Sequence, residues 1–414
     1  MASGSSSSTF KSIMTLPVIV AALGYFVDIY DLLLFGIVRV PSLIDMGLDP
    51  DVAGTYILNW QMFGLLLGGL LWGVLGDRKG RLSVLFGSIL VYSLANIACG
   101  ALPHLNFMDK VELYALLRFI AGIGLAGELG AGITLVSESL PKQHRAIGTS
   151  VVAGFGLLGA VFAQLTVQFT ADWALAYYIG GGLGLALLFL RIGVVESGVF
   201  KKIEAQAHVN RGHFWQLFTK KKLLIKYLRT IAIGIPTWFC IGILAVMANQ
   251  FAPALGITKL EPGKAIMWAY IGISIGDFAS GFISHALHSR KKAILAMMLF
   301  TIFGVILMLY GPNASEKSYY FYCFWLGLGT GYWAMFVTVA SEQFGTNIRS
   351  TATTTVPNVV RGLLPLLLFG FDHFKVSVGV IYAATIIGVL SFGVAIYGTL
   401  TIEETHNKDM DFVE

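Results

Sequence analysis

The chain of 414 residues predicts an all-α membrane protein, with twelve transmembrane helices in two pseudo-symmetric six-helix bundles. Three observations carry that prediction. Hydrophobic residues make up 56% of the chain and charged residues 12%, with 48 glycines, whereas a soluble domain carries about 25% charged residues. Glycine at that level suits helices packed closely in lipid, where small residues let backbones approach. Apolar runs near the ~20 residues needed to cross a bilayer recur twelve times. The chain also repeats itself: the pair Glu138 and Arg145 answers Glu342 and Arg349, Gly122-Ile-Gly124 answers Gly327-Leu-Gly329, and Glu196-Ser197 answers Glu404-Thr405. Two copies of a unit in the same order point to a membrane transporter.

The spans are predicted at 17–38, 54–75, 84–103, 112–136, 146–170, 173–192, 228–251, 264–287, 292–311, 318–341, 350–372 and 376–400. They divide the chain into an N-terminal bundle over 1–192, a basic linker over 193–227, a C-terminal bundle over 228–400 and a tail over 401–414. Most of the 28 Lys and Arg fall on the side shared by both termini, which places both termini in the cytoplasm. The richest basic stretch, Lys201 to Arg229 with Lys220-Lys221-Lys222, lies between spans 6 and 7 and reads as an interfacial amphipathic segment. A net charge of +5 therefore belongs to loops facing anionic lipid and does not imply nucleic acid. The Ser-rich stretch Met1 to Thr9 is polar and has no basic n-region, so the first span is expected to stay uncleaved. Cys99, Cys240 and Cys323 lack metal-ligand spacing and read as buried small hydrophobes. Neither metal nor cofactor is expected, and the absence of a long loop or a nucleophile constellation argues against an enzyme. Short loops lean toward a bacterial inner membrane, and the expected partners are a small-molecule substrate, protons and membrane lipid, with the chain a monomer.

Charges inside spans are the most informative residues, since an ionised side chain at mid-bilayer costs about 2.5–3.5 kcal/mol even on the lenient insertion scale. Span 1 holds Asp28 and Asp31, whose spacing puts both carboxylates on one helical face. Span 4 runs the opposite way with Arg118 near its outer end and Glu128 ~15 Å deeper, which brings Asp31 and Arg118 to comparable depth. Burial opposes ionisation of a carboxylate and an adjacent guanidinium favours it, so such a pair, opening and closing, is a proton switch, with Glu128 and Asp28 as auxiliary acids. The alternative is a static ion pair fixing helix 1 to helix 4. Tyr322 holds the position in the second half that corresponds to Arg118, which favours function over architecture.

Span 11 carries Asn358 and Arg361 near mid-bilayer. Three readings of Arg361 stand: an anchor for an anionic substrate group, a partner for an acid such as Asp277 in span 8, or a hydrogen-bonder to backbone broken at Pro357 and Pro365. Tyr30, Gln61, Trp238, Tyr332, Trp333 and Asn358 complete the candidate cavity, each also readable as packing.

Between spans 2 and 3 stands Gly76-Asp77-Arg78-Lys79-Gly80-Arg81, which resembles the loop signature of the major facilitator superfamily; with twelve spans in two parallel halves the resemblance covers essentially the whole chain. It implies alternating access and a cytoplasmic ion-pair network, Asp77, Arg81, Glu138, Arg145 and Glu196 in the first half and Glu342, Arg349 and Glu404 in the second. The second-half loop, Ser289-Arg290-Lys291-Lys292, keeps the basic residues without an Asp-Arg pair. Asp31 with Arg118 is similar to the aspartate and arginine pair of proton-coupled sugar porters, and Asp28 to Asp31 with Gly127-Glu128 resembles the acidic motifs of metabolite:proton symporters. The Gln-Gln pair of sugar porters in span 7 is missing, where Pro236-Thr-Trp238 stands. Proton-coupled symport of a small polar metabolite, with an organic anion or zwitterion favoured, is therefore the expectation. A proton-antiport exporter and an uncoupled facilitator remain rivals, and a non-transporting sensor a remote one. The run Gly122 to Gly127 matches a dinucleotide-binding pattern but lies within an apolar span, where close helix packing is expected instead. Asn313-Ala-Ser315 is a glycosylation sequon in a loop.

Overall fold

The computed structural model describes residues 15–79, 81–128, 130, 132, 136, 145–196, 220–312, 314–345 and 349–406. These residues are almost wholly helical. The first half contains α1 (Leu16–Asp45), α2 (Val52–Lys79), α3 (Arg81–Gly100), α4 (Lys110–Leu125), α5 (Arg145–Thr170) and α6 (Trp173–Glu196). The second contains α7 (Lys221–Trp238), a π-helical turn (Phe239–Ala245), α8 (Ala248–Ala254), α9 (Pro262–Leu287), α10 (Arg290–Tyr310), α11 (Glu316–Thr330), α12 (Trp333–Gln343), α13 (Arg349–Gly362) and α14 (Leu364–Thr401).

Local chemistry starts the helices where short polar residues precede apolar runs. The Asp109 carboxylate accepts from the N–H groups of Val111 and Glu112 at the head of α4. Asp172 does the same for Ala174 and Leu175 at α6, and Ser315 forms a capping box with Ser318 at α11. Eight of the described helical stretches are long and apolar enough to cross a membrane; one of them, Thr351–Thr401, is 51 residues long and holds two crossings. Its turn comes at Gly379, with φ 81°, a few residues beyond the predicted gap at 373–375. The helix carries on past that gap because the gap holds no residue that breaks it.

Breaks interrupt several of the predicted spans, among them span 11 at Leu363, between α13 and α14. Span 7 begins earlier, at Lys221, and passes through the π-turn just after Pro236, whose missing N–H and ring disturb the hydrogen-bond ladder. Span 4 leaves α-helical geometry at Ala126-Gly127 and span 10 at Gly331-Tyr332. At Gly331 a Cβ would lie 2.8 Å from the Asp277 nitrogen of α9, so only glycine allows that approach.

Packing repeats between the halves. In the first, α1 packs on α5, α2 on α4 and α3 on α6; in the second, α9 packs on α11, while α7 packs on α13 and α14. Gly64 and Gly68 of α2 face the backbone of α4 at Phe119 and Ile123, while Gly122 faces Gln61; likewise Gly272 and Gly276 of α9 face α11 at Phe324 and Leu328, while Gly327 faces Ala269. The same four-residue glycine step thus closes the equivalent helix pair twice, and the Gly122 run is a packing device. The halves meet through α5 with α9 and α2 with α13.

The distribution of side chains is that of a protein in lipid. Large apolar residues such as Leu67, Phe189, Phe282, Phe303 and Leu390 are exposed, while Asp28, Asp31, Arg39, Arg118, Glu128, Arg191, Asp277 and Arg361 are buried.

Candidate functional site

The acids of α1 lie within the first half. Asp28 and Asp31 are wholly buried, and none of their four carboxylate oxygens has a hydrogen-bond partner among the described residues. Arg118 reaches α1 through the backbone: its Nη2 donates to the Asp31 carbonyl at 3.0 Å, Nε to Gln61 Oε1 at 3.1 Å and Nη1 to Asn96 Oδ1 at 2.7 Å. Its guanidinium also sits 5.5 Å from the centre of the Tyr177 ring. Asp31 and Arg118 are therefore neighbours, as their depths implied, but no carboxylate-guanidinium bridge joins them. Gln61 is used at both ends, since Nε2 donates to the Leu32 carbonyl at 2.8 Å. Tyr30 donates to the Ala176 carbonyl at 3.0 Å, which turns its hydroxyl toward α6.

Arg361 of α13 is 2% exposed and makes no hydrogen bond or ion pair to any described residue, its Nε and Nη1 being fully buried. Its guanidinium lies 5.9 Å from the Trp333 ring centre, a cation-π contact. Tyr25 and Asp28 of the first half and Tyr270 of the second stand within electrostatic reach of its charge. The pairing of Arg361 with Asp277 does not occur: Asp277 Oδ1 instead accepts from the Ala334 N–H at 2.8 Å, holding the start of α12 after the Gly331-Tyr332 break. Asn358 donates to the Ala126 carbonyl of the first half at 2.9 Å and to Thr354 at 3.0 Å. Tyr332 donates to the Ile233 carbonyl at 3.0 Å, and Trp238 is buried at the head of the π-turn.

Glu128 is engaged by a residue that the sequence reading passed over. Both nitrogens Nη1 and Nη2 of Arg191, in α6, donate to its two oxygens in a buried bidentate pair. Gly24 of α1 leaves the space, for a Cβ there would run into both partners. The signal was available in a lone arginine at the last turn of an apolar run.

The face that holds the first turn of α1 and the end of α14 is the terminal face. Of the network expected there, Glu138 and the side chains of Asp77, Arg81, Arg145, Glu196 and Arg349 lie outside the described residues. The second-half members show their partners. Arg290 Nη2 donates to Glu342 Oε1 at 3.3 Å, so the arginine of the degenerate loop meets the repeated glutamate. Glu404 accepts from the Ser289 hydroxyl and from the N–H groups of Arg290 at 2.9 Å and Lys291 at 3.3 Å, capping α10.

On the far face a second cluster ties the halves together. Arg39, wholly buried at the end of α1, donates to the Pro50 carbonyl at 2.7 Å, the Val246 carbonyl at 3.2 Å and Asn249 Oδ1 at 2.6 Å. Asp51 accepts from Asn249 and from Gln250, each at 3.0 Å, and Lys375 donates to Gln250 at 3.2 Å. Arg39 stands one residue past the predicted end of span 1, and the apolar run continuing on both sides of it was its only signal.

Comparison with known proteins agrees with this arrangement. A putative metabolite transport protein of Haemophilus influenzae is 27% identical over 357 residues, covering 83% of this chain and 84% of that one. The gentisate transporter of Corynebacterium glutamicum is 24% identical over 339 residues, covering 78% of this chain and 73% of its own. The solved inward-open xylose transporter XylE from E. coli superposes with a TM-score of 0.69 at 15% identity, covering 95% of this chain and 97% of that one, a likeness of fold. The model of the Major Facilitator Superfamily matches residues 21–367, and with its helices in two repeated halves around buried charges the chain belongs to that family of transporters.

Proposed function

We propose that the chain is a proton-coupled symporter, working by alternating access, whose cargo is a small organic anion bearing a carboxylate on a ring. One observation supports this reading: the Arg361 guanidinium is buried, in cation-π contact with Trp333, uncommitted to any described residue, and close enough to act electrostatically on the Asp28 carboxylate, which also bonds to no described residue. A guanidinium can grip a carboxylate through two parallel hydrogen bonds, and Trp333 offers a flat surface to a ring held there. That gentisate, the cargo named for one relative, is a ring carboxylate supports the choice within the wider class of organic anions and zwitterions. The acids Asp28 and Asp31, on one face of α1, supply the proton-binding groups, with Arg118 holding the α1 backbone beside them. Asn358, which spans from α13 to Ala126, and Trp238 and Tyr332 beside the π-turn are the groups that would sense which half the cargo engages. The termini lie in the cytoplasm of a bacterial cell, the segment between α6 and α7 joins the two bundles, and the terminal-face ion pairs are the inner gate.

The test is thermal stability of the purified protein at two pH values with carboxylates, amino acids, sugars and amphipathic cations. A ligand at 100 times its Kd adds about 2.7 kcal/mol. The expected result is that ring carboxylates stabilise the wild type and Arg361→Ala loses the shift. Stabilisation by hydrophobic cations alone, retained in Arg361→Ala, would replace this reading with that of an exporter.

A further inference from the structure

We infer that the groove between the terminal-face ends of α7 and α14 binds the head group of an anionic phospholipid, with the acyl chains lying on the apolar rows beside it. A cavity of about 230 Å³ opens there, lined by Lys222, Ile225, Lys226 and Arg229 of α7, Gln343 of α12 and Thr401 of α14. Its size suits a head group, being below the ~300 Å³ at which pockets for drug-sized molecules begin. Glu403 is its acidic member, against three basic side chains.

Backbone carbonyls orient two of the basic side chains. Arg229 Nη1 donates to the Thr401 carbonyl at 3.1 Å, and Lys226 Nζ donates to the Gln343 carbonyl at 3.1 Å while lying 5.6 Å from the centre of the Phe344 ring. These contacts fix the direction of the side chains without removing charge from Arg229. Lys222 is exposed and bonds to no described residue. Helices α7 and α14 come together at Gly398, where a Cβ would lie 2.8 Å from the Arg229 carbonyl oxygen.

A lipid, rather than a dissolved anion, is favoured by what continues from the cavity. One turn further along α7 from Ile225 stands Leu228, 54% exposed, and the turn of α14 before Thr401 carries Tyr397 and Leu400, 62% and 57% exposed. Two apolar rows thus run from a basic cavity toward the middle of the bilayer, the layout that a phosphate with attached acyl chains requires. The leaflet is the cytoplasmic one on the orientation proposed above; the chemistry of the site does not depend on it.

The experiment follows thermal unfolding of the full chain in neutral detergent during titration with dioleoyl phosphatidylglycerol, dioleoyl phosphatidylcholine or glycerol 3-phosphate. Phosphatidylglycerol is expected to raise the Tm saturably while the other two do not. Lys222→Glu should weaken the apparent affinity by about fivefold or more, since each basic residue near such a surface contributes about 1 kcal/mol. Lys221→Glu, an equally exposed neighbour outside the cavity, should leave it unchanged. Equal shifts from phosphatidylcholine, equal loss in both variants, or no loss in Lys222→Glu would each overturn the site. The full shift from glycerol 3-phosphate would make it a site for free anions instead.

Discussion

Glu128 and Arg191 show what a buried charge demands of its surroundings. Their side chains are 1% and 4% exposed, so neither has water to fall back on. Removing one partner strands the other, which costs about 3–5 kcal/mol for a buried pair. Arg191→Gln is therefore expected to lower unfolding stability by that amount, and Gly24→Ala to destabilise as well, because its methyl would push into both partners. Thermal or denaturant unfolding of the purified variants reads both, and the double variant Glu128→Gln with Arg191→Gln should recover part of the loss. Recovery distinguishes a stranded charge from a simple packing defect.

At the scale of helices, each face of the bundle carries contacts between helix ends. Partial burial works against the Glu404 carboxylate, but the Ser289 hydroxyl and the N–H groups of His406, Arg290 and Lys291 outweigh it and bring its pKa from 4.5 down to about 2. A group held below its unfolded value stabilises the fold above that value and loses its contribution as pH falls through the folded one. The stability gap between the wild type and Glu404→Gln should thus be full above about pH 4.5 and close on the way to pH 2, as seen in unfolding curves over that range. On the far face, Arg39 joins α1 to the segment between the π-turn and α8, where interrupted helix leaves the Val246 carbonyl to be satisfied. Arg39→Ala is expected to part the halves there. Spin labels at the exposed positions Met108 and Lys317, one in each half, would report a longer and broader distance in the variant. An unchanged distance would show that α8 is held by other contacts.

For the whole molecule, the proposed symport requires that proton binding differ between the inward- and outward-facing states. One proton moving down ~150 mV supplies about 3.5 kcal/mol, enough for a cargo gradient of roughly 300-fold. Asp31→Asn should therefore abolish uphill uptake into proteoliposomes under an imposed pH gradient while leaving exchange of cargo at equal pH measurable. Loss of both would assign Asp31 to structure, through the α1 turn that Arg118 holds.

Fold class, the number of crossings and the duplication were determined by the sequence alone, because lipid demands long apolar helices and a repeated unit leaves repeated glycines and charges. The same rule picked out Asp28, Asp31, Arg118, Glu128 and Arg361, whose cost in an apolar run is visible without coordinates. Which of them pair was left to the tertiary structure. Depth along a helix placed Arg118 beside Asp31, but rotation about the helix axis decided that it meets the carbonyl and not the carboxylate. Distance in sequence hid Arg191 from Glu128, 63 residues away, and Arg39 from Asn249, 210 residues away. Asp277 could have served Arg361 until the break at Gly331-Tyr332 exposed the Ala334 N–H that claims it. A charged side chain inside a membrane is costly, and the sequence states that cost while packing decides which charges are paired, as Glu128 with Arg191, and which are left open to other partners, as Arg361.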